Sequence, residues 1–155
     1  MTETHALPRI GDVIEPLSEA ECRRLLGVHT LGRVGITSGG LPLIVPVHYL
    51  YDDGVIVFRT GAGSKLRAAA NGDVLAFEID AYDAVSACGW SVMVLGRATV
   101  LTTEHGNVGL PTPDQAAAGE RNNYVRLFCE LVTGRVIQRE PDVLSPTSFG
   151  TRRLS

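Results

Sequence analysis

The chain has 155 residues, 45% of them apolar and 20% charged, with 14 basic against 17 acidic side chains and a net charge of −3. That length is most economically one domain with a real core, and the composition excludes wholesale disorder. The acidic balance removes any global pull toward nucleic acid, and no apolar run approaches the roughly 20 residues that cross a bilayer.

Residues 1–16, beginning "MTETHALPRIGD", carry no periodicity and lack the basic-then-apolar layout of a secretory signal. They are expected to form a flexible arm. "LSEAECRRLLG" then predicts a helix, with Ser18 as its cap and Glu21 placed to complete a capping box. Cys22, Leu25 and Leu26 share one face, and Gly27 is the natural stop. From residue 31 the pattern changes to strands: "LGRVGIT", a turn at "SGG", then the apolar "LPLIVPVHYLY" closed by "DDG", and "VIVFRT" returning from that hairpin. Proline cannot donate to a ladder, so Pro42 and Pro46 predict strand starts, bulges or edges, and Pro46 a bulged or edge position with free backbone beside it.

"GAGSKLRAAANG" predicts a short helix, followed by the strand "DVLAFEID", a loop over "AYDAVSACG" and the long strand "WSVMVLGRATVLT", in which Gly96 marks a bend or bulge. Residues 104–123 are rich in Gly, Pro and Asn, with one helical turn at "PDQAAAG"; "YVRLFCELVTGRVIQ" alternates as a single strand. The tail from residue 140 is expected to be extended, leaving residues 17–139 as the folded domain. Short turns between about six strands argue against a doubly wound parallel sheet and for a closed or nearly closed antiparallel barrel, mainly β, with one N-terminal helix and one or two short helices.

The three cysteines, Cys22, Cys88 and Cys129, are odd in number and widely spaced, with no C-x-x-C. They are read as reduced thiols of a cytoplasmic protein, not as a disulfide frame or zinc site. "GAGSKL" fails both the dinucleotide fingerprint, which needs glycine where Leu66 stands, and the P-loop order. What remains is a helix start with unpartnered amides, the Ser64 hydroxyl and the Lys65 ammonium, with Arg67 nearby. That set can hold an anion; equally, Ser64 can simply cap the helix and Lys65 sit in solvent. Trp90 and Ser91 are open to two readings, a core residue beside a polar neighbour or a wall and donor for a flat ligand. His48, Glu78 and Asp80 have structural readings at least as good as chemical ones. His5, His29 and His105 have no metal-like spacing, and there is no G-x-S-x-G elbow.

Taken in order, "LSEAECRRLL", "GRVGI", "PLIVPVHYLYDDGVIVFRTGAGSKL", "VLAFEID", "GWSVMVLGRATVL" and "ELVTGRVI" resemble the pyridoxamine 5′-phosphate oxidase-like family of flavin-binding split barrels, over roughly residues 17–139. The resemblance implies a six-stranded split barrel that binds FMN at a homodimer interface. It implies that Val45, Pro46 and Val47 line the isoalloxazine ring, largely through backbone groups. Thr60, Gly61, Ser64 and Lys65 would hold the ribityl chain and phosphate. Ser91, with Trp90, would reach the flavin from the other subunit. The chain ends in "SPTSFGTRRLS", without the Trp and His with which the name-giving oxidase grips its substrate, so oxidation of pyridoxamine phosphate is not expected.

The expected function is therefore an FMN-dependent oxidoreductase acting on an unidentified small molecule. The alternatives are a deazaflavin-dependent reductase, with Arg59, Arg67 and Arg97 as a basic groove, or a non-catalytic flavin carrier or sensor. Haem is disfavoured, because His48 is the only strand histidine that could serve as an axial ligand. Flavin chemistry resides in the ring, so no catalytic acid or base is assigned.

Overall fold

The computed structural model describes residues 12–101 and 123–139. The predicted arm over 1–11, the helical turn at 113–119, His5, His105 and the tail from 140 lie outside the described residues. Chain order is β1 (Asp12–Pro16), α1 (Glu19–Val28), β2 (Leu31–Ser38), β3 (Leu41–Asp52), β4 (Val55–Thr60), α2 (Ser64–Ala70), β5 (Val74–Asp83), β6 (Cys88–Leu101), β7 (Asn123–Phe128) and β8 (Leu131–Arg139).

Six strands close on themselves in the order β6-β5-β2-β3-β4-β7, with β7 pairing back to β6; β8 and β1 extend the sheet from β6. Every pairing is antiparallel. This is the antiparallel barrel that the turn spacing predicts, and its interior follows from period-two alternation. Val34 and Ile36 of β2, Tyr49 of β3, Ile56 and Phe58 of β4, Phe77 and Ile79 of β5, Val92 and Val94 of β6, and Val125 and Leu127 of β7 point inward and are buried. The Tyr49 and Phe77 rings meet edge to face at 4.8 Å, and the Tyr49 hydroxyl donates to the Leu26 carbonyl at 2.8 Å, tying α1 to the core.

Several elements differ from expectation. The Ser18 hydroxyl accepts from the Glu21 amide at 3.2 Å, but the Glu21 carboxylate pairs with Arg24, which holds its carboxyl below the usual range, so only half of the capping box forms. The helix does not stop at Gly27. It continues to Val28 and leaves through an extended His29, an exit that needs no left-handed residue. Residues 12–16, assigned to the arm, form β1 against β8. "AYDAVSACG" is mostly strand: β5 and β6 remain paired as far as Asp83 and Cys88.

"YVRLFCELVTGRVIQ" is two strands. Ala98 faces Leu127 and Leu95 faces Leu131, three steps along β6 against four along its partners, so one extra residue is accommodated at 128–130. Gly96 sits at this change of partner, while its own pairing to Leu75 runs without interruption. A Cβ there would lie 1.6 Å from the Phe128 carbonyl oxygen, so only glycine permits the approach. No bulge forms at Pro46 either; β2 and β3 keep one register from Leu31–His48 to Ser38–Leu41.

Candidate functional site

The ladder between β3 and β4 holds only from Asp52–Val55 to Tyr49–Phe58. Beyond Tyr49, β3 pairs among the described residues with β2 alone. The Tyr49 amide donates to Thr30 at 2.8 Å, on the β2 side. Backbone direction alternates along a strand, so the groups of residues 48, 46, 44 and 42 point the other way, to the unpaired edge. Both prolines therefore turn their missing N–H toward this edge, which satisfies the edge reading of Pro46. The edge presents the Pro42, Ile44, Pro46 and His48 carbonyls and the Ile44 and His48 amides.

Across the gap lie the end of β4 and the start of α2. Thr60 is buried, and its hydroxyl donates to the Gly61 carbonyl at 3.2 Å. Gly63 holds the N-cap position of α2 with no side-chain cap, so Ser64 begins the helix and does not cap it. Its hydroxyl is instead 2.9 Å from that of Ser38, the last residue of β2, and accepts from the Arg67 guanidinium at 3.3 Å. Lys65 follows in the same turn, half-buried. The gap is thus bounded by the Tyr49–Phe58 pair at one end and the Ser38–Ser64 contact at the other. Of the expected site residues, Pro46 turns its backbone to this edge, Val45 and Val47 turn theirs to β2, and Thr60, Gly61, Ser64 and Lys65 lie in the segment from the end of β4 to the first turn of α2. Val47 and Thr60 are buried, and alternation turns the backbone groups of Val47 toward β2 and those of Thr60 toward β7.

Trp90 and Ser91 are not brought there. Trp90 has the inward parity of β6 and meets the His29 ring at 4.9 Å, near the start of β2. Ser64 contacts the end of β2, seven steps and roughly 20 Å away along the strand. Ser91 faces the opposite side of the sheet, between Asp80 and Arg135. Here Arg33 contacts Asp80, which with Glu78 holds the guanidinium fully charged. Asp80 and Glu78 are thereby part of an ion-pair cluster. Around it the outer face of β3, β2, β5, β6 and β8 exposes Ile44, Leu31, Val74, Met93 and Leu131.

Sequence reading missed Ser38. It is separated from Ser64 by 26 positions, and the "SGG" signal marks it only as a turn residue. Among the described residues no group of three or more His, Cys, Asp and Glu could hold a metal ion, and no helix is long and apolar enough to cross a membrane. His48 is exposed on the outer parity of β3.

The family described as pyridoxamine 5′-phosphate oxidase matches residues 18–136. An uncharacterized protein of Mycobacterium tuberculosis is 30% identical over 145 residues, covering 90% of this chain and 88% of its own length. Among solved structures, a FAD binding protein from Mycobacterium smegmatis is 31% identical, with a TM-score of 0.58 over 79% of this chain and 97% of that one. A FAD-binding protein from Mesorhizobium loti, 20% identical, matches in fold with a TM-score of 0.65 over 83% of this chain and 100% of its own.

Proposed function

Since this chain belongs to the pyridoxamine 5′-phosphate oxidase family, we propose that it is a homodimeric flavoprotein oxidoreductase that seats FMN in the gap between β3 and β4. The observation that carries this reading is the geometry of that gap. A run of β3 backbone donors and acceptors with no strand partner among the described residues leads to the contacting Ser38, Ser64 and Arg67, with Lys65 next to Ser64 in the chain. A flavin requires both parts. The Ile44 and His48 amides and the neighbouring carbonyls match the ring's polar edge, and the cationic, hydroxyl-bearing cluster suits a terminal phosphate. When bound, the flavin supplies hydride and single-electron transfer; the residues of this chain hold it, orient it and exclude water.

Dimerisation completes the site. Trp90 and Ser91 lie at the far end of their own barrel from Ser64, so they contribute to a flavin only from a second copy. The exposed Ile44, Leu31, Val74, Met93 and Leu131 supply an apolar face for that contact.

FAD is the second reading. The Mycobacterium smegmatis relative, 31% identical, is described as binding it. Among the described residues, a Cβ built on Gly39, Gly40 or Gly63 meets nothing within 4 Å, which suits a nucleotide extension beside the Ser38–Ser64 pair.

An absorbance spectrum of the purified protein, then mass spectrometry of what denaturation releases, tests the assignment. FMN is the expected product. FAD selects the second reading, and a deazaflavin replaces both. An apoprotein that takes up none of them overturns the proposal. Reduction of the bound flavin by a nicotinamide donor, with turnover on an acceptor, distinguishes an enzyme from a carrier.

A further inference from the structure

We infer that the outer face of β4, β7 and the end of β6 is the docking surface for this chain's own connection between β6 and β7, residues 102–122. Register defines that face. Val55, Val57 and Arg59 of β4 stand opposite Phe128, Arg126 and Tyr124 of β7, and Thr99 and Leu101 of β6 stand opposite Arg126 and Tyr124. Their sequence neighbours Ile56, Phe58, Val125 and Leu127 fill the barrel, so this set points outward. An outer face ordinarily meets water, as Ile44 on β3 does at 75% exposure. Here Tyr124 is only 8% exposed. Arg126 Nε and Thr99 Oγ1 are sealed from solvent and have no hydrogen-bond partner among the described residues. The Arg126 guanidinium carbon stands 5.8 Å from the centre of the Phe128 ring. Shielding a cation's donor from water without an acceptor is costly, so this face requires a cover that is polar and acidic.

Reach and charge both favour residues 102–122, which lie outside the described residues. Leu101 and Tyr124 are register partners, so the connection leaves and re-enters the barrel at this face, its ends about 5 Å apart. Antiparallel neighbours need only about two to five residues to turn. Half of this connection, about ten residues, reaches roughly 33 Å when extended. The face itself is about 20 Å long and about 10 Å wide, since β4 and β7 have 6 residues each and three strands lie side by side. Charge is complementary as well. β4, β7 and residues 97–101 carry Arg59, Arg97 and Arg126 with no acidic residue, whereas the connection carries Glu104, Asp114 and Glu120 against one arginine, Arg121. A carboxylate accepting from a sheltered guanidinium makes the stronger kind of hydrogen bond. The tail from residue 140 starts farther off: it follows Arg139, beyond the Cys88 end of β6 and opposite to Leu101.

The test is zero-length carbodiimide crosslinking of the full-length Arg126→Lys variant, which keeps the charge and supplies an amine able to couple to a touching carboxylate. Light and heavy isotope-labelled chains are refolded together first, so that links within and between copies differ in mass. Digestion and mass spectrometry are expected to show position 126 joined to Glu104, Asp114 or Glu120 of the same copy. A link to Glu140 or Asp142 would assign the face to the tail, and a light–heavy link would assign it to a second copy. Either result overturns the inference, as does the absence of any link to the connection. Charge reversal provides an independent reading. Arg126→Glu should lower the calorimetric melting temperature by about 5 °C. Changing the linked acid to lysine in that background should restore more than half of the loss. No recovery, in a variant that keeps its circular dichroism spectrum, would mean that the two charges do not meet and would overturn the inference.

Discussion

Ser64 and Lys65 show how far single residues can be interpreted before a fold is known. Their types and order point to an anion, but the same letters also describe a cap and a solvated lysine. The choice turns on Gly63 taking the cap position, which leaves the Ser64 hydroxyl for Ser38 and Arg67. Ser64→Ala combined with Lys65→Ala should weaken FMN binding at least tenfold, about 1.4 kcal/mol, in an equilibrium titration. Gly96 supports a prediction of another kind. A methyl group there would overlap the Phe128 carbonyl, and backbone cannot move aside as a flexible side chain can. Gly96→Ala should cost about 3 kcal/mol and lower the calorimetric melting temperature by roughly 10 °C.

At the scale of elements, the barrel strands were legible because each buries one face, so apolar residues alternate along it. Pro42 and Pro46 also carried true information, for only an unpaired edge tolerates them both. Three features were not legible. β1 exists only by pairing with β8, more than a hundred residues on, and a short strand stabilised by a distant partner leaves little local trace. The break at Cys129 is invisible because alternation continues across it, while β6 exchanges β8 for β7. Gly27 resembles a stop, yet a helix ends where tertiary contacts redirect it. Burial of the β7–β8 junction has a measurable effect. It pushes the Cys129 thiol up from 9.0 to about 11, and burial likewise raises the Tyr49 phenol. Both groups ionise more easily in the unfolded chain, so the Cys129 contribution to stability is complete below pH 9 and disappears as pH rises through about 11, while that of Tyr49 begins to be lost only above pH 10 and persists to higher pH. The urea midpoint should be level near neutrality and fall above pH 9, less steeply in Cys129→Ala.

For the whole molecule, the proposed reading has one barrel supply only part of the flavin site. The Ser38–Ser64 pair is at one end of β2 and Trp90 is near the other, so in the proposed dimer cofactor affinity and assembly should depend on each other. Met93→Lys with Leu131→Lys places charge on the exposed outer face, away from the gap. Sedimentation velocity should show a monomer, flavin affinity should fall at least tenfold, and added flavin should no longer quench the emission of Trp90, the only tryptophan. The prolines on the open strand have a further consequence for the emptied protein. A bare strand margin invites a foreign strand to zip onto it and seed fibrils, but Pro42 and Pro46 withhold every second amide along this one. Replacing both with valine should leave the flavin-loaded protein soluble and make the stripped protein thioflavin-positive, so that on the proposed reading the prolines act as guardians of the empty molecule.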